Sequence, residues 1–236
     1  MRSRSSVALL VLAVVAVAVA ALAATRDGGS QAAGSGSSPI QHVPEQDGRL
    51  RLVAHGDSIT QGDSPSISTG DLGPRSWVKH IDNSSFRFVG GSARGGLTSA
   101  RALDDIRSDF RGDIVVYALG TNDLRTAEST PAQFVRNIVK HHRHSTGSRD
   151  ATVVIVAVGP MRDRSAKEIS AWNAAVKRGA RAHGFHFIDP WTSIRTVDYT
   201  WRDPDDTFDG LHPTASGARK LGRAISRQLT DLESSQ

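Results

Sequence analysis

Continuous apolar segments alternate with amphipathic ones between residues 49 and 232, and this alternation predicts strands and helices in turn. The segments 113–119 and 152–158 are uninterrupted and rich in β-branched residues, which is typical of strands buried on both faces of a parallel sheet. Three shorter segments share this apolar character. The predicted strands are 50–54, 86–89, 113–119, 152–158 and 185–188.

The segments between these strands repeat apolar residues at helical spacing. Thr130 followed by Pro131 is typical of a helix start, because threonine caps the first turn and proline suits the first helical position. Thr214 is a candidate cap for the last helix. Such alternation predicts an α/β fold, a three-layer α/β/α sandwich around a five-stranded parallel sheet. The predicted helices are 76–81, 98–110, 131–144, 166–183 and 215–232.

Residues 1–24 have the pattern of a targeting segment. Arg2 and Arg4 precede an apolar run at 7–24, and the small-x-small tripeptide at 21–23 resembles a signal peptidase site. A helix over that run would be about 27 Å long, just short of a hydrocarbon core of about 30 Å. We therefore expect a cleaved signal peptide in preference to an uncleaved membrane anchor. Either one would place the remaining chain outside the cytoplasm.

Residues 25–46 are rich in Gly, Ser, Ala and Gln and contain too few apolar residues to order themselves. This composition predicts a flexible linker. The linker would let a folded domain stand away from a membrane or wall, or it would be a disordered leader after cleavage. The folded domain is expected over residues 47–236.

Composition narrows the class of protein. A chain of 236 residues with 38% hydrophobic and 22% charged residues has room for one α/β domain. The 29 basic and 24 acidic residues give a net charge of +5; without Arg2 and Arg4 it is +3. No long basic run occurs, so a nucleic acid partner is not expected. The absence of cysteine excludes disulfides, thiol catalysis and cysteine-bound zinc.

Four short polar blocks fall on predicted loops. Gly-Asp-Ser-Ile-Thr at 56–60, Arg-Gly-Gly-Leu-Thr at 94–98 and Gly-Thr-Asn-Asp at 120–123 each follow a predicted strand. Because the carboxyl ends of parallel strands share one edge of the sheet, we expect these three blocks to meet there. The fourth block, Asp-Gly-Leu-His-Pro at 209–213, precedes the last helix. It reaches that edge only if the preceding loop folds back.

In their order and their placement against the strands, the four blocks resemble those of the SGNH hydrolases, also called the GDSL esterase/lipase superfamily. The resemblance covers nearly the whole predicted domain and implies a flavodoxin-like sandwich that needs no metal or organic cofactor. It implies that Ser58 is the nucleophile, His212 the general base and Asp209 the acid that orients the histidine. The backbone N–H groups of Ser58 and Gly96 and the side-chain amide of Asn122 would form the oxyanion hole.

The chemistry of these residue types agrees with those roles. A serine hydroxyl is a weak nucleophile that needs a base, a group that orients the base, and donors for the oxyanion. Glycine at position 96 would let a backbone N–H approach the substrate without a Cβ in the way. Gly96 is preferred over Gly95 because Leu97 and Thr98 then lead into the helix. No G-x-S-x-G motif occurs, which disfavours the strained elbow of the α/β-hydrolase fold.

Several polar residues near these blocks have a structural interpretation. Asp57 suits a turn and Asp123 a helix cap, and neither is predicted to be catalytic. His55 stands where the resembled family usually has an apolar residue. A hydrogen-bonded structural histidine is favoured there over a second titrating group. The histidines within 141–144 are expected to form a solvated helix terminus rather than a metal site.

Residues 190–208 form a long loop before the fourth block and contain several aromatic residues. Loops of this length in compact domains are often functional. We therefore expect this loop to wall the acyl or leaving-group pocket, with Trp201 and Phe208 as candidate substrate-binding residues.

Together these observations predict a secreted or otherwise extracytoplasmic serine esterase that hydrolyses carboxylic esters through an acyl-enzyme. Short acyl groups or acetylated carbohydrate are expected in preference to long lipids, because no large hydrophobic lid is evident. Two alternatives stay open: an envelope acyltransferase with the same triad, and a non-catalytic surface domain that retains the scaffold. The expected partner is a small-molecule, carbohydrate or lipid ester, with a membrane tether only through residues 7–24.

Overall fold

The structure, a computed structural model, describes residues 47–106 and 109–234. Within these residues one sheet contains five parallel strands: β1 (Leu50–Gly56), β2 (Phe86–Ala93), β3 (Ile114–Ala118), β4 (Thr152–Val156) and β5 (His186–Ile188). Their order across the sheet is β2-β1-β3-β4-β5. This is the order of flavodoxin-like doubly wound sheets, and it confirms the predicted fold class.

Six α-helices accompany the sheet in the same residues: α1 (Ser58–Gln61), α2 (Ser99–Asp105), α3 (Thr121–Thr126), α4 (Pro131–His144), α5 (Ala166–Ala182) and α6 (Ala215–Glu233). Short 3-10 helices lie at Trp77–His80, Pro190–Ser193 and Pro204–Asp206. Helices α4 and α5 begin with capping boxes, in which Thr130 and Ser165 exchange hydrogen bonds with the third helical residue. The predicted helix start at Thr130 is therefore confirmed.

Side chains along the strands alternate between two apolar layers on opposite faces of the sheet. Val53 and Tyr117 point into a core shared with α2, α4 and α5. Leu52 and Ala54 point into the other core, which α6 and the 3-10 helix Trp77–His80 complete. Because both faces are covered, the carboxyl edge of the sheet is the place left for polar chemistry.

One predicted helix is too long. The pattern predicted a helix over 98–110, but α2 ends at Asp105 and Ile106 is extended. The ring of Phe110 packs where a side chain at Gly90 would lie, 2.4 Å from the position of a Cβ there. A contact between Phe110 and the neighbouring strand thus replaces the last turns of the helix, a case in which tertiary packing overrides local propensity.

No helix within residues 47–106 and 109–234 is both long and apolar enough to span a membrane. The predicted signal peptide or anchor at 1–24 and the predicted linker at 25–46 lie outside these residues. Both therefore stay predictions.

Candidate active site

Ser58 stands just beyond β1, on a turn that its neighbours shape. The strand ends at Gly56, where a Cβ would overlap the Thr60 side chain, so this turn needs glycine. Asp57 caps α1 by accepting the Ile59 N–H at 3.0 Å, and Ser58 is the first residue of that helix. Asp57 therefore has the turn-forming role predicted for it.

His212 lies within hydrogen-bonding distance of Ser58. The distance between Ser58 Oγ and His212 Nε2 is 2.9 Å, although the two residues are 154 positions apart in the chain. On the other side of the ring, His212 Nδ1 lies 2.6 Å from Asp209 Oδ2. The fourth block thus folds back onto the sheet edge, and the three side chains form a continuous hydrogen-bonded row.

The Asp209 carboxylate also holds the loop that carries the histidine. Asp209 Oδ1 accepts the backbone N–H of His212 at 2.7 Å and that of Leu211 at 2.9 Å. Burial acts to raise the pKa of Asp209, but hydrogen bonds from the side chain and backbone of His212 outweigh it and lower the pKa below its usual value. Thr207 donates its hydroxyl to the His212 carbonyl at 2.8 Å. The imidazole is therefore held by its own ring contacts and by its backbone.

The two glycines of the second block differ in their hydrogen bonding. Gly95 donates its N–H to the Gln61 side chain at 2.8 Å, which removes that N–H from the candidate oxyanion donors. Gly96 has a φ of 73°, a left-handed conformation that favours glycine. Its N–H has no hydrogen-bond partner in the described part of the chain. This difference favours Gly96 over Gly95 as the donor.

Asn122 occupies the second position of α3 and is buried. Its Nδ2 donates to the carbonyl of Leu97 at 3.1 Å, which fixes the plane of the amide and leaves a second hydrogen on the same nitrogen. A Cβ at Gly95 would lie 3.9 Å from Ser58 Cβ. The loop at 94–98 therefore lies beside Ser58 and is hydrogen-bonded to Asn122.

Two carboxyl groups lie buried beneath this site. Burial raises the pKa of Asp57 to about 6, against the hydrogen bond from the Ile59 N–H that lowers it. Burial also raises the pKa of Asp123, whose carboxylate accepts the Ser99 N–H at 2.9 Å. Asp123 thereby caps α2, in agreement with its predicted structural role.

His55 is buried rather than part of the cleft. Its ring packs against those of Tyr117 and His141, with centroids 5.4 and 5.1 Å away, and its Nδ1 has no hydrogen-bond partner among residues 47–106 and 109–234. Burial holds the pKa of His55 well below its usual value. The residue is structural, as expected, but ring packing rather than a hydrogen bond at Nδ1 holds it.

The prediction of a solvated histidine terminus on α4 is wrong for two of its residues. His141 and His142 are buried, because α4 packs them against the core. The Tyr117 hydroxyl lies 2.7 Å from His141 Nδ1, and His142 Nε2 lies 3.1 Å from the carbonyl of Arg149. Within the described ranges no group of three or more histidine, aspartate or glutamate side chains is arranged to hold a metal ion.

The two aromatic residues predicted to bind substrate lie in different surroundings. Phe208 is 56% exposed and stacks on His212 in the cleft. Trp201 packs edge-on against Trp191 and lines a neighbouring cavity rather than the cleft itself. The long loop therefore contributes one residue to the cleft wall and one to its surroundings.

The cleft around Ser58 and His212 has a volume of about 370 Å³. Arg75 and Asp63 also line it, as an ion pair that no sequence pattern indicated. A larger cavity of about 830 Å³ is lined mainly by α6 and by residues of two 3-10 helices, and its lining includes none of the predicted site residues. The three predicted catalytic residues therefore all line the smaller cleft.

Comparison with known proteins gives one family match. The model of the GDSL-like Lipase/Acylhydrolase family matches residues 54–220. No curated protein matches the chain in sequence.

Solved structures of other proteins share the fold. A GDSL-like lipase from Bacteroides thetaiotaomicron is 18% identical with a TM-score of 0.55, over 82% of this chain and 93% of that one. A catalytic mutant of an acetylxylan esterase from Geobacillus stearothermophilus is 16% identical with a TM-score of 0.56, over 76% and 94%. A protein described as lipolytic and of the G-D-S-L family from Desulfitobacterium hafniense is 16% identical with a TM-score of 0.60, over 76% and 99%. At these identities the likeness shows the fold alone.

Proposed function

The chain belongs to the GDSL-like lipase/acylhydrolase family and is an ester-hydrolysing serine hydrolase, and we propose that Ser58, His212 and Asp209 are its catalytic triad. One observation carries this proposal: the 2.9 Å contact between Ser58 Oγ and His212 Nε2, continued by the 2.6 Å contact between His212 Nδ1 and Asp209 Oδ2. Both distances are those of hydrogen bonds along which a proton is able to move.

In the proposed reaction Ser58 Oγ attacks the acyl carbon of the ester while its proton passes to His212 Nε2. Asp209 keeps the imidazole proton on Nδ1 and stabilises the imidazolium that forms. His212 then returns the proton to the leaving alkoxide, and the acyl group stays on Ser58. A water molecule, activated by the same imidazole, releases the carboxylic acid and restores the serine.

The negative charge on the carbonyl oxygen needs donors that are already in place. The proposed donors are the N–H groups of Ser58 and Gly96 and the Nδ2 of Asn122. The bond from Asn122 to the Leu97 carbonyl supports this assignment, because it holds the amide rigidly beside the second block. Preorganised donors stabilise the transition state without a cost of reorganisation at the moment of reaction.

We propose short acyl esters of carbohydrate as the substrate class. A cleft of about 370 Å³, open beside an exposed Phe208, suits a small acyl group better than a long lipid chain. The solved neighbour from Geobacillus stearothermophilus is an acetylxylan esterase, which is consistent with this class.

We also propose that the enzyme acts outside the cytoplasm, cut free or tethered through residues 7–24. This proposal rests on the sequence of residues 1–24 alone. Intact-mass measurement of the exported protein tests it. A mass that lacks the first 23 or so residues indicates cleavage, and a full-length mass in the membrane fraction indicates an anchor.

The central test of the proposed function is a panel of p-nitrophenyl esters of increasing chain length, together with acetylated sugars. We expect turnover to be highest for acetate and to fall with chain length, and a fluorophosphonate to label Ser58. Candidate acceptor alcohols are added in a parallel series, because acyl transfer without hydrolysis would indicate the acyltransferase instead. A folded protein that neither hydrolyses an ester nor takes up the label would contradict the assignment.

A further inference from the structure

A second cavity adjoins the catalytic cleft, and Phe208 is the wall between them. The cavity measures about 410 Å³, within the range of roughly 300–1,000 Å³ typical of small-molecule sites. Phe208 lines both this cavity and the cleft that contains Ser58. We name the second cavity the aromatic groove. Its walls include Pro160, Met161, Arg162, Tyr199, Trp201 and Phe208.

A small hairpin presents two of these aromatic residues to the groove. Arg195 and Trp201 form an antiparallel bridge, and the Thr196 N–H donates to the Thr200 carbonyl at 2.8 Å. Tyr199, in the turn of this hairpin, has a φ of 56°. That left-handed conformation is unfavourable for a bulky side chain, and glycine or asparagine would adopt it more easily. A tyrosine kept in a strained position points to a use for its ring.

The Tyr199 ring is held from the protein side. Arg195 Cζ lies 4.0 Å from the ring centroid, and Arg195 Nη2 lies 3.4 Å from the tyrosine hydroxyl. The same Nη2 bonds Asp189 Oδ2 at 2.8 Å, which fixes the guanidinium in turn. An aromatic ring fixed in this way loses little freedom when a ligand packs on it.

The groups that line the groove match the chemistry of a pyranose ring. The faces of a pyranose carry C–H groups that pack on aromatic rings, whereas its rim carries hydroxyls that need hydrogen-bond partners. Tyr199 and Trp201 supply aromatic surface, and Arg162, exposed beside them, supplies hydrogen-bond donors. A long acyl chain would use the aromatic surface but offer nothing to the arginine.

We propose that the aromatic groove is a leaving-group subsite for one sugar residue of an acylated oligosaccharide whose ester is held at Ser58. This inference rests on the proposed function and deepens it. The acylated sugar lies in the cleft, and a neighbouring sugar of the same chain passes Phe208 into the groove. A substrate without a neighbouring sugar, such as p-nitrophenyl acetate, does not reach the groove.

The test measures KM and kcat of the full chain on acetylated xylotetraose and on p-nitrophenyl acetate. Tyr199→Gly removes the ring and suits the positive φ, so we expect the fold to be retained. We expect its KM for acetylated xylotetraose to rise about fivefold to tenfold, the size of a lost aromatic contact, with kcat/KM on p-nitrophenyl acetate within about twofold of wild type. Tyr199→Phe keeps the ring and should behave as wild type.

The matched control is Val197→Ala, because Val197 lies in the same hairpin, is 87% exposed and does not line the groove. Trp201→Ala is the second variant and should raise the same KM. An unchanged KM for acetylated xylotetraose in both Tyr199→Gly and Trp201→Ala would overturn the subsite. An equal loss on both substrates would overturn it too, since it would place the effect at the triad. Wild-type enzyme that hydrolyses neither substrate would instead refute the proposed esterase activity itself.

Discussion

The ring of Phe208 lies nearly parallel to the imidazole of His212, with 12° between their planes and 5.6 Å between their centroids. Arg75 lies over the same phenyl ring, its Cζ 4.7 Å from the centroid, and is paired with Asp63. The proposed general base is thus supported by an aromatic ring that a cation holds in turn. This arrangement restricts the rotation of the imidazole and keeps Nε2 directed at Ser58.

Phe208→Ala should therefore slow the chemical step. We expect kcat on p-nitrophenyl acetate to fall about threefold to tenfold, which corresponds to the loss of one aromatic contact. Phe208→Tyr keeps the stacked ring and should restore kcat. Steady-state kinetics across pH 6–8 measure both variants. A Phe208→Ala enzyme with wild-type kcat and an unchanged pH profile would show that the stack does not position the base.

Ser58→Ala should abolish turnover without unfolding the domain, because the side chain is small and makes its one assigned hydrogen bond to His212. His212→Ala should cost nearly as much, since members of a triad act as a unit. Ester hydrolysis measures the loss, and circular dichroism and thermal unfolding measure the fold. Residual turnover of more than a few per cent in a folded Ser58→Ala protein would identify another nucleophile.

Asp209→Asn should lower kcat by about 10² to 10⁴, less than the loss in Ser58→Ala. The depressed pKa of Asp209 keeps it ionised throughout pH 6–8, so the effect should be the same across that range. The hydrogen bonds that lower this pKa stabilise the folded state fully at pH values above 3.8, the ordinary pKa of an aspartate. This stabilisation is lost as the pH falls through the lower pKa that Asp209 has in the folded state. Full activity of Asp209→Asn between pH 6 and 8 would mean that another group orients His212.

Asn122→Ala should lower kcat by about 10² to 10³, with little change in KM, because an oxyanion donor acts in the transition state. Asn137→Ala is the matched control. Asn137 donates to Ser99 Oγ at 3.0 Å and lies outside the cleft, so its loss should leave kcat within about twofold. Initial rates on p-nitrophenyl acetate compare the two. Similar losses in both variants would indicate a structural role for Asn122.

The buried histidines should make the fold sensitive to acid. Burial holds the pKa of His55 well below 6.5 and lowers that of His141 to about 4, whereas both take up a proton near 6.5 in the unfolded chain. The unfolded state therefore binds more protons below pH 6.5, and the free energy of unfolding should fall as the pH drops from 6.5 towards 4. Tyr117 and His142 lie beside this pair. Burial raises the pKa of Tyr117, so its phenol stays neutral in this range, and burial lowers the pKa of His142 in the same direction as the other two histidines.

Urea unfolding of wild type and His55→Phe at pH 8, 6 and 5 measures this effect. We expect the wild-type midpoint to fall with pH and the variant to show a shallower fall, because phenylalanine occupies the same space without a proton to bind. A wild-type midpoint that is constant from pH 8 to 5 would contradict the assignment of a neutral buried pair.

The strands, and the grouping of most of the candidate site residues, were predictable because they depend on local patterns. Apolar runs of β-branched residues predicted β3 and β4, and the placement of polar blocks after strands predicted that 56–60, 94–98 and 120–123 share an edge. The choice of Gly96 over Gly95 came from helix spacing, and the hydrogen bond from Gly95 to Gln61 favours it for a different reason.

What the sequence did not predict depends on contacts between distant segments. The Arg75–Asp63 pair and its stack on Phe208 join two loops with no shared motif. The burial of His141 follows from the packing of α4 on Tyr117, which a helix-end pattern does not contain. The early end of α2 likewise reflects a contact between Phe110 and the strand next to it.

The loop at 207–213 packs against the end of β1, so residues near the start and near the end of the folded domain meet at one site. The proposed nucleophile follows the first strand, and the proposed base lies just before the final helix, which packs on the same sheet. In the proposed mechanism, a chain whose last forty residues have not yet docked has no proton acceptor beside Ser58, so hydrolysis requires the completely folded domain. Enzymatic activity can thus serve as a sensitive assay for completed folding.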